Sequence, residues 1–309
     1  MSLVRTVSVV VVSHNSERYL DRCLGSVVGR GYDVVLVDTA STDGTVALVR
    51  DAFPDVRIVE LGRNAGYGAA NNVGVASTAA EYVLILNPDA WPLGDAADRL
   101  VEVIRNSPWA GIVGPRLLGL DGVQEQSVRG FPTVWRLATE YCFLRWLAPW
   151  SRLVNAFYGA GVDPVNRGEV EWVVGAAMLV RRKAFEDAGG FDERFFLYNE
   201  EVDLAYRFRE LGWEVLYHPA AEFVHVGGGS SGPRQSELYR EQLRSHIRFI
   251  DKHRGRRQAE RARRMLASAM RVRAVVFRGE RGRMSAEAAR WLSGLEVDAI
   301  LRGSDAAGV

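Results

Sequence analysis

The run Asn87-Pro88-Asp89 follows Tyr82–Leu86 (YVLIL), an apolar stretch bounded by polar residues that reads as a buried strand. Such a strand delivers Asp89 to the carboxyl end of a sheet, where open α/β folds bind their ligands. VVLVD puts Asp38 at a similar strand end, and VSVVVVS does the same for Ser13. Three strand ends with polar cargo suggest a nucleotide crevice, with a carboxylate suited to a hard cation on a diphosphate. Taken alone, NPDAWP also reads as a surface turn, because Asn, Pro and Asp are turn formers.

More acids lie downstream. Glu200, Glu201 and Asp203 open a helix pattern, where acids are common for dipole reasons, and Asp203 pairs with Arg207 at helical spacing. Two adjacent glutamates beside Phe195, Phe196 and Tyr198 are less routine. Partial burial and a like-charged neighbour raise a carboxylate pKa, which suits a base that must deprotonate a hydroxyl. His225 ends a strand before the GGGSSG run, and imidazole suits Mn²⁺ better than Mg²⁺ in a mixed O/N site. His14 reads as a crevice-lining residue and His218 as structural.

Gly66-Tyr-Gly68-Ala-Ala-Asn71 nearly matches the dinucleotide fingerprint, with Asp89 at a suitable distance. Its third glycine is Asn71, however, and Asp89 follows an Asn-Pro step, so the dehydrogenase reading is rejected.

These residues need an alternating frame to hold them. Strands are expected at Val7–Ser13, Val34–Asp38, Val56–Leu61 and Tyr82–Leu86. Helices are expected after Ser16, from Ser41 or Thr42 to Phe53, near Tyr67–Ser77 and near Asp95–Asn106. Right-handed crossovers then build a mostly parallel central sheet with helices on both faces. Beyond an aromatic-rich segment at 124–166, where Arg129, Arg136, Arg145 and Arg152 sit among residues from Phe131 to Tyr158, come four further elements. They are a strand at Glu171–Val180 carrying Gly175, a helix at Glu200–Leu211, and short strands at Glu214–Tyr217 and Glu222–Val226. The aromatic segment reads as a helical pair, or as a surface that meets an amphipathic acceptor. The expected division is a catalytic domain at 1–232 and a basic helical extension at 233–309.

The 309 residues are 48% apolar and 25% charged, as in ordinary globular proteins. The net charge of +1 conceals a run from Asp251 to Arg283 with twelve Lys or Arg against three acids. Cys23 and Cys142 form no metal or redox motif, and Cys23 reads as a buried free thiol. The lack of a leader or membrane-spanning run leads to an expected cytoplasmic location.

Taken together, VVSHNSERYLDRCLGSV, VDTASTDGT, NAGYGAANNVG, YVLILNPDA, VGAAMLVRRKAFEDAGGFDERFFLYNEEVDLAYRFRELGW and HPAAEFVHVGG resemble the inverting family 2 glycosyltransferases of GT-A fold. Within that family they are most similar to bacterial rhamnosyltransferases of cell-wall and polysaccharide assembly, including those acting on polyprenyl-diphosphate-linked GlcNAc. The resemblance implies that Ser13, His14, Asn15 and Asp38 hold the nucleoside and that Asn64 and Gly66 border the nucleotide. Gly175 is expected to line the same donor site. By the same resemblance, Asp89 is the metal acid of the family's DxD motif, Asn87 replaces its first acid, and His225 joins the Mn²⁺ or Mg²⁺. Glu201, with Glu200 beside it, stands where the family carries its base, although the family usually has Asp there.

The expected reaction is transfer of a sugar, favoured as L-rhamnose from dTDP-β-L-rhamnose, to a hydroxyl of a glycan or lipid-linked acceptor. UDP- or GDP-hexose donors and a non-catalytic nucleotide- or glycan-binding relative are the alternatives. A sugar nucleotidyltransferase needs a Gly-rich basic loop after the first strand, which Ser13–Leu20 lacks. Nucleic-acid binding by the arginine-rich tail is not expected. That tail reads either as a helix on an anionic membrane surface, at the inner face of the plasma membrane, or as a helix packed on the protein.

Overall fold

In the computed structural model the described residues are 6–148, 150–151, 153–155, 157, 168–227 and 235–302. The expectations on Arg152, Tyr158 and most of GGGSSG therefore lie outside the described residues. The chain forms two compact units, one of Met1–Arg129, Val162–Arg194 and Glu200–Gly227, the other of Gly130–Gly161, Phe195–Asn199 and Gly228–Val309.

The first unit is built on β1 (Val7–Ser13), β2 (Asp33–Asp38), β3 (Arg57–Glu60) and β4 (Tyr82–Leu86), paired in parallel in the order β3-β2-β1-β4. Every residue of β1 and β4 is buried, which is why these strands lack polar alternation. Val9 and Val11 join Leu20, Cys23, Leu24 and Val27 of α1 (Glu17–Val27) in the core. On the neighbouring residues' side, α3 (Tyr67–Ala76) comes so near that a Cβ on Gly74 would lie 2.3 Å from Val10 Cγ1. Only glycine permits that approach.

Beyond β4 the sheet becomes mixed. β10 (Ala177–Arg181) runs antiparallel to β4 and to β6 (Ala110–Leu118), while β11 (Glu214–His225) runs parallel to β6 and antiparallel to β5 (Ala90–Pro92). Parallel pairing thus joins β3, β2, β1 and β4 on one side and β6 with β11 on the other, with antiparallel β10 between the two groups. α4 (Ala96–Arg105) adds Leu100 and Ile104 to the core, and α8 (Glu200–Glu210) buries Val202, Leu204 and Phe208.

Three local expectations change. The strand at Glu171–Val180 is broken into β9 (Trp172–Val173), which pairs with β7 (Val128–Arg129), and β10, which α7 (Arg182–Asp187) follows, with Gly175 in the gap; the short β8 (Gly168–Glu169) pairs with β11. Glu214–Tyr217 and Glu222–Val226 are one strand, β11, with an irregular register between His218 and Glu222 that accommodates Pro219. β6 is an additional strand whose glycines obscure its apolar pattern. A Cβ on Gly111 would meet Phe208 at 2.5 Å, and one on Gly114 would meet Val173 at 2.5 Å.

The second unit is helical. It contains α5 (Val134–Tyr141), the single turn α6 (Leu144–Leu147), α9 (Gln235–Arg254), α10 (Arg256–Val276), α11 (Gly279–Gly294) and α12 (Val297–Arg302). Buried Arg244 of α9 pairs with Glu241 and donates to the Ile300 carbonyl at 2.9 Å, tying α12 to α9. Among the described residues, no helix is long and apolar enough to cross a membrane.

Candidate functional site

Two groups of polar residues gather at the carboxyl ends of the first unit's strands. The first lies where β1 and β2 end side by side, with Ser13 paired to Asp38 in the register. Ser13 Oγ donates to Asp38 Oδ1 at 3.2 Å, and the Ser41 amide donates to Oδ2 at 3.0 Å. Asn15 adopts φ +53°, and its Oδ1 accepts from the Thr42 amide at 2.7 Å. His14 Nδ1 lies 2.8 Å from the Thr39 carbonyl.

The expected caps at Ser16 and at Ser41 or Thr42 are therefore replaced. Ser16 Oγ accepts from the His14 amide at 3.2 Å, and α2 (Thr45–Ala52) starts later, after Gly44. The Ser41 and Thr42 hydroxyls instead bond to Asn15 and tie the two loops into one rim, while the Ser16 hydroxyl stays with His14 in its own loop.

The second group surrounds α8 and the ends of β4 and β11. Antiparallel pairing of β11 with β5 sets His225 opposite Ala90, next to Asp89. His225 Nε2 is 3.7 Å from Asp89 Oδ1, and His225 Nδ1 is 3.0 Å from Glu125 Oε2. With Nδ1–H donating to Glu125, Nε2 presents its lone pair on the Asp89 side. An imidazole nitrogen and a carboxylate oxygen fit Mn²⁺ or Mg²⁺ when diphosphate and water supply the other ligands. Among the described residues, no three His, Cys, Asp or Glu side chains are grouped to hold a metal ion by themselves.

Asn87 donates its amide to the Ala176 carbonyl at 2.8 Å, and the Cys23 thiol donates to the Asn87 carbonyl at 3.4 Å. Cys23 is a buried free thiol, its pKa raised first by burial and then by Asp89. Asn64 Oδ1 accepts from the Gly66 amide at 3.1 Å, and Gly66 itself takes φ +85° to launch α3.

Glu201 lies over Gly175. A Cβ there would sit in ordinary van der Waals contact with Glu201 Cγ at 3.4 Å, so the break between β9 and β10 lies directly against this side chain. Burial raises the Glu201 pKa, while its own amide, Arg129, and the amides of Val202 and Gly175 act in the opposite direction. Among the described residues, Glu201 Oε2 has no hydrogen-bond partner. A carboxylate held by backbone donors, with one oxygen unspent, is equipped to take a proton.

Two side chains were not singled out from the sequence. The Tyr67 hydroxyl donates to the Gly175 carbonyl at 2.9 Å, and its pKa is pushed well above 10 by burial and then by Glu200, Glu201 and Asp89. This phenol therefore stays a neutral donor in the field of all three acids. Glu125 is the other, since nothing near it in sequence announces a partner 100 residues away. Asp203 takes the structural role expected of it, paired with Arg207 at 2.8 Å. Just past the glycine-rich run, Asn72 has a structural role. Asn72 accepts from the Phe191 amide at 2.8 Å and donates to the Phe191 carbonyl at 3.0 Å.

The family described as Glycosyl transferase family 2 matches residues 8–189. The chain is 34% identical over 263 residues to the N-acetylglucosaminyl-diphospho-decaprenol L-rhamnosyltransferase of Mycobacterium tuberculosis, covering 80% of this chain and 85% of that protein. Among solved structures, GalNAc-T7 with UDP, GalNAc and Mn²⁺ superposes with a TM-score of 0.60 at 16% identity, over 95% of this chain and 57% of that one. S. aureus TarS 1-349 in complex with UDP-GlcNAc superposes with a TM-score of 0.56 at 17% identity, over 96% of this chain and 83% of that one. These two likenesses are of fold.

Proposed function

We propose, since the chain belongs to glycosyl transferase family 2, that it transfers a sugar from a nucleoside-diphosphate donor to an acceptor hydroxyl with inversion. The observation that carries this reading is the half-buried Glu201 side chain, raised in pKa by burial, held by backbone amides, and with its enclosed Oε2 unpartnered among the described residues. Glu201 removes the proton of the acceptor hydroxyl as that oxygen attacks the anomeric carbon and the nucleoside diphosphate leaves from the opposite face. Glu200 stands beside it as the like-charged neighbour.

Ser13, His14, Asn15 and Asp38 form the rim for the nucleoside, and Asn64, Gly66, Asn87 and Gly175 border the donor. Asp89 and His225 would hold a divalent cation, Mn²⁺ or Mg²⁺, with Glu125 orienting the imidazole. When bound, such a cation offsets charge on the diphosphate. Tyr67 holds the Gly175 carbonyl and so keeps the loop under Glu201 in place.

The donor favoured is dTDP-β-L-rhamnose, and the acceptor favoured is a polyprenyl-diphosphate-linked GlcNAc glycan. Support comes from the mycobacterial relative, named for transfer of L-rhamnose to N-acetylglucosaminyl-diphospho-decaprenol. A UDP- or GDP-hexose is the alternative donor. The test is Glu201→Gln, assayed with thymidine-, uridine- and guanosine-diphosphate sugars. The variant should lose about 10²- to 10⁴-fold in kcat while keeping nucleotide affinity. Near-normal turnover would remove Glu201 from the reaction, and a preference for a UDP- or GDP-sugar would replace the proposed donor.

A further inference from the structure

The run from Asp251 to Arg283 suggested one basic helix coating a surface, but much of its first part is engaged within the helical unit. Arg256 pairs with Asp251 at 3.1 Å and Asp298 at 2.6 Å, Arg263 with Glu260 at 2.9 Å, and Arg271 donates to Ser293 at 2.8 Å. The C-terminal end of α10 differs. Val275 and Val276 are 85% and 58% exposed there.

The same end meets α6, where Trp146 and Leu147 are 68% and 75% exposed. Phe143 joins the two elements, its ring edge-on to Trp146 at 5.6 Å and to Phe277 at 5.6 Å. Phe143 also takes φ +61°, a conformation rare for an aromatic residue, and Arg273 stacks over both Phe143 and Phe277 at 5.0 and 4.9 Å. An indole and a leucine on α6 and two valines at the end of α10 are thus exposed on two elements that packed rings connect.

Charge selects the occupant. From Arg271 to Arg283 there are five arginines and one acid, Glu280, with Arg278, Arg281 and Arg283 exposed. Exposed apolar side chains, a tryptophan among them, followed in the chain by exposed arginines are complementary to the headgroup region of an anionic bilayer. There the indole and aliphatic groups enter the acyl boundary while the guanidinium groups stay with phosphate.

We infer that α6 and the C-terminal end of α10 form a docking surface for an anionic lipid bilayer. The surface lies wholly in the helical unit, and the inference does not rest on the sugar-transfer reading.

The test is flotation of the full chain with vesicles of phosphatidylcholine alone and with an equal weight of phosphatidylglycerol. Binding should require phosphatidylglycerol and fall as salt rises. Leu147→Glu and Val275→Glu change exposed side chains and should each lower vesicle binding by roughly tenfold, the effect of withholding one aliphatic group from the bilayer. Their melting temperatures should be unchanged. Arg278→Ala with Arg281→Ala should lower binding to the phosphatidylglycerol vesicles and flatten its dependence on salt. Wild-type binding by the two Glu variants, no binding by the wild-type chain, or a dimer that Leu147→Glu converts to monomer would each overturn the proposal. Sugar transfer measured with a soluble acceptor reports separately on the catalytic reading.

Discussion

His225 Nδ1 lies 3.0 Å from Glu125 Oε2, and the opposite ring nitrogen of His225 lies 3.7 Å from Asp89. One imidazole therefore spans two carboxylates, the nearer fixing its tautomer and the farther sharing its lone-pair side. Removing the orienting acid should be felt at the cation. Glu125→Gln should weaken Mn²⁺ affinity by about 10- to 100-fold, as for other residues that orient a metal-binding histidine. Mn²⁺ titration followed by electron paramagnetic resonance, with a nucleoside diphosphate present, measures this. Wild-type affinity in that variant would leave Glu125 with a purely structural role.

Burial holds the Glu201 carboxyl above its ordinary value of 4.5. A base acts ionised, so kcat should rise with pH through that elevated value, placing the acidic limb above 4.5. Stability follows the opposite direction. The folded chain binds this proton more tightly than the unfolded chain, so the contribution of Glu201 is fully present below the unfolded pKa and is lost as pH rises through the folded one. Glu201→Gln does not titrate, and its melting temperature should gain on the wild type across that window. A constant difference between the two across the acid range would dismiss the buried carboxylate as the cause.

Tyr67 donates to the Gly175 carbonyl at 2.9 Å beneath Glu201. Tyr67→Phe removes that hydrogen bond and leaves a partly buried carbonyl, at a cost of about 1–3 kcal/mol in stability. As a positioning residue it should lower kcat more than it changes KM for the donor, and it should displace the acidic limb of the pH profile. A change confined to melting temperature would give Tyr67 a structural role only.

Asp38 is buried and accepts from Ser13 Oγ and the Ser41 amide. Asp38→Ala strands both donors, and should cost about 1–3 kcal/mol in a urea titration. It should also weaken nucleoside-diphosphate binding measured by calorimetry, because the rim residues Ser41 and Asn15 lose their anchor. Unaltered nucleotide affinity would remove Asp38 from the nucleoside site. The Glu125 variant should leave binding of the metal-free nucleotide intact, which separates the two ends of the donor site.

Local order was the most legible part. Val7–Ser13 and Tyr82–Leu86 coincide with β1 and β4 to the residue, since an unbroken apolar run between polar neighbours has few alternatives to a buried strand. The helix at Glu200 and the Asp203–Arg207 pair were legible for a similar reason, being set by contacts within one turn. β6 was not legible, because Gly111 and Gly114 owe their small size to Phe208 and Val173, which lie far away in the chain. Ser41 and Thr42 have the polar chemistry of caps, which the folded chain spends on Asn15 across the β1–β2 rim instead.

The residue order alone determined the type of each short element, the membership in an ordered set of motifs, and the residue types able to bear charge or accept protons. Those follow from side-chain preferences acting over a few positions. Tertiary structure decided that His225 faces Asp89 and leans on Glu125, that the Gly175 amide meets Glu201, and that Tyr67 feels three acids at once. The physical reason is register: antiparallel pairing of β11 with β5 brings residues more than a hundred positions apart within a few ångströms, and no local preference encodes which pair will meet.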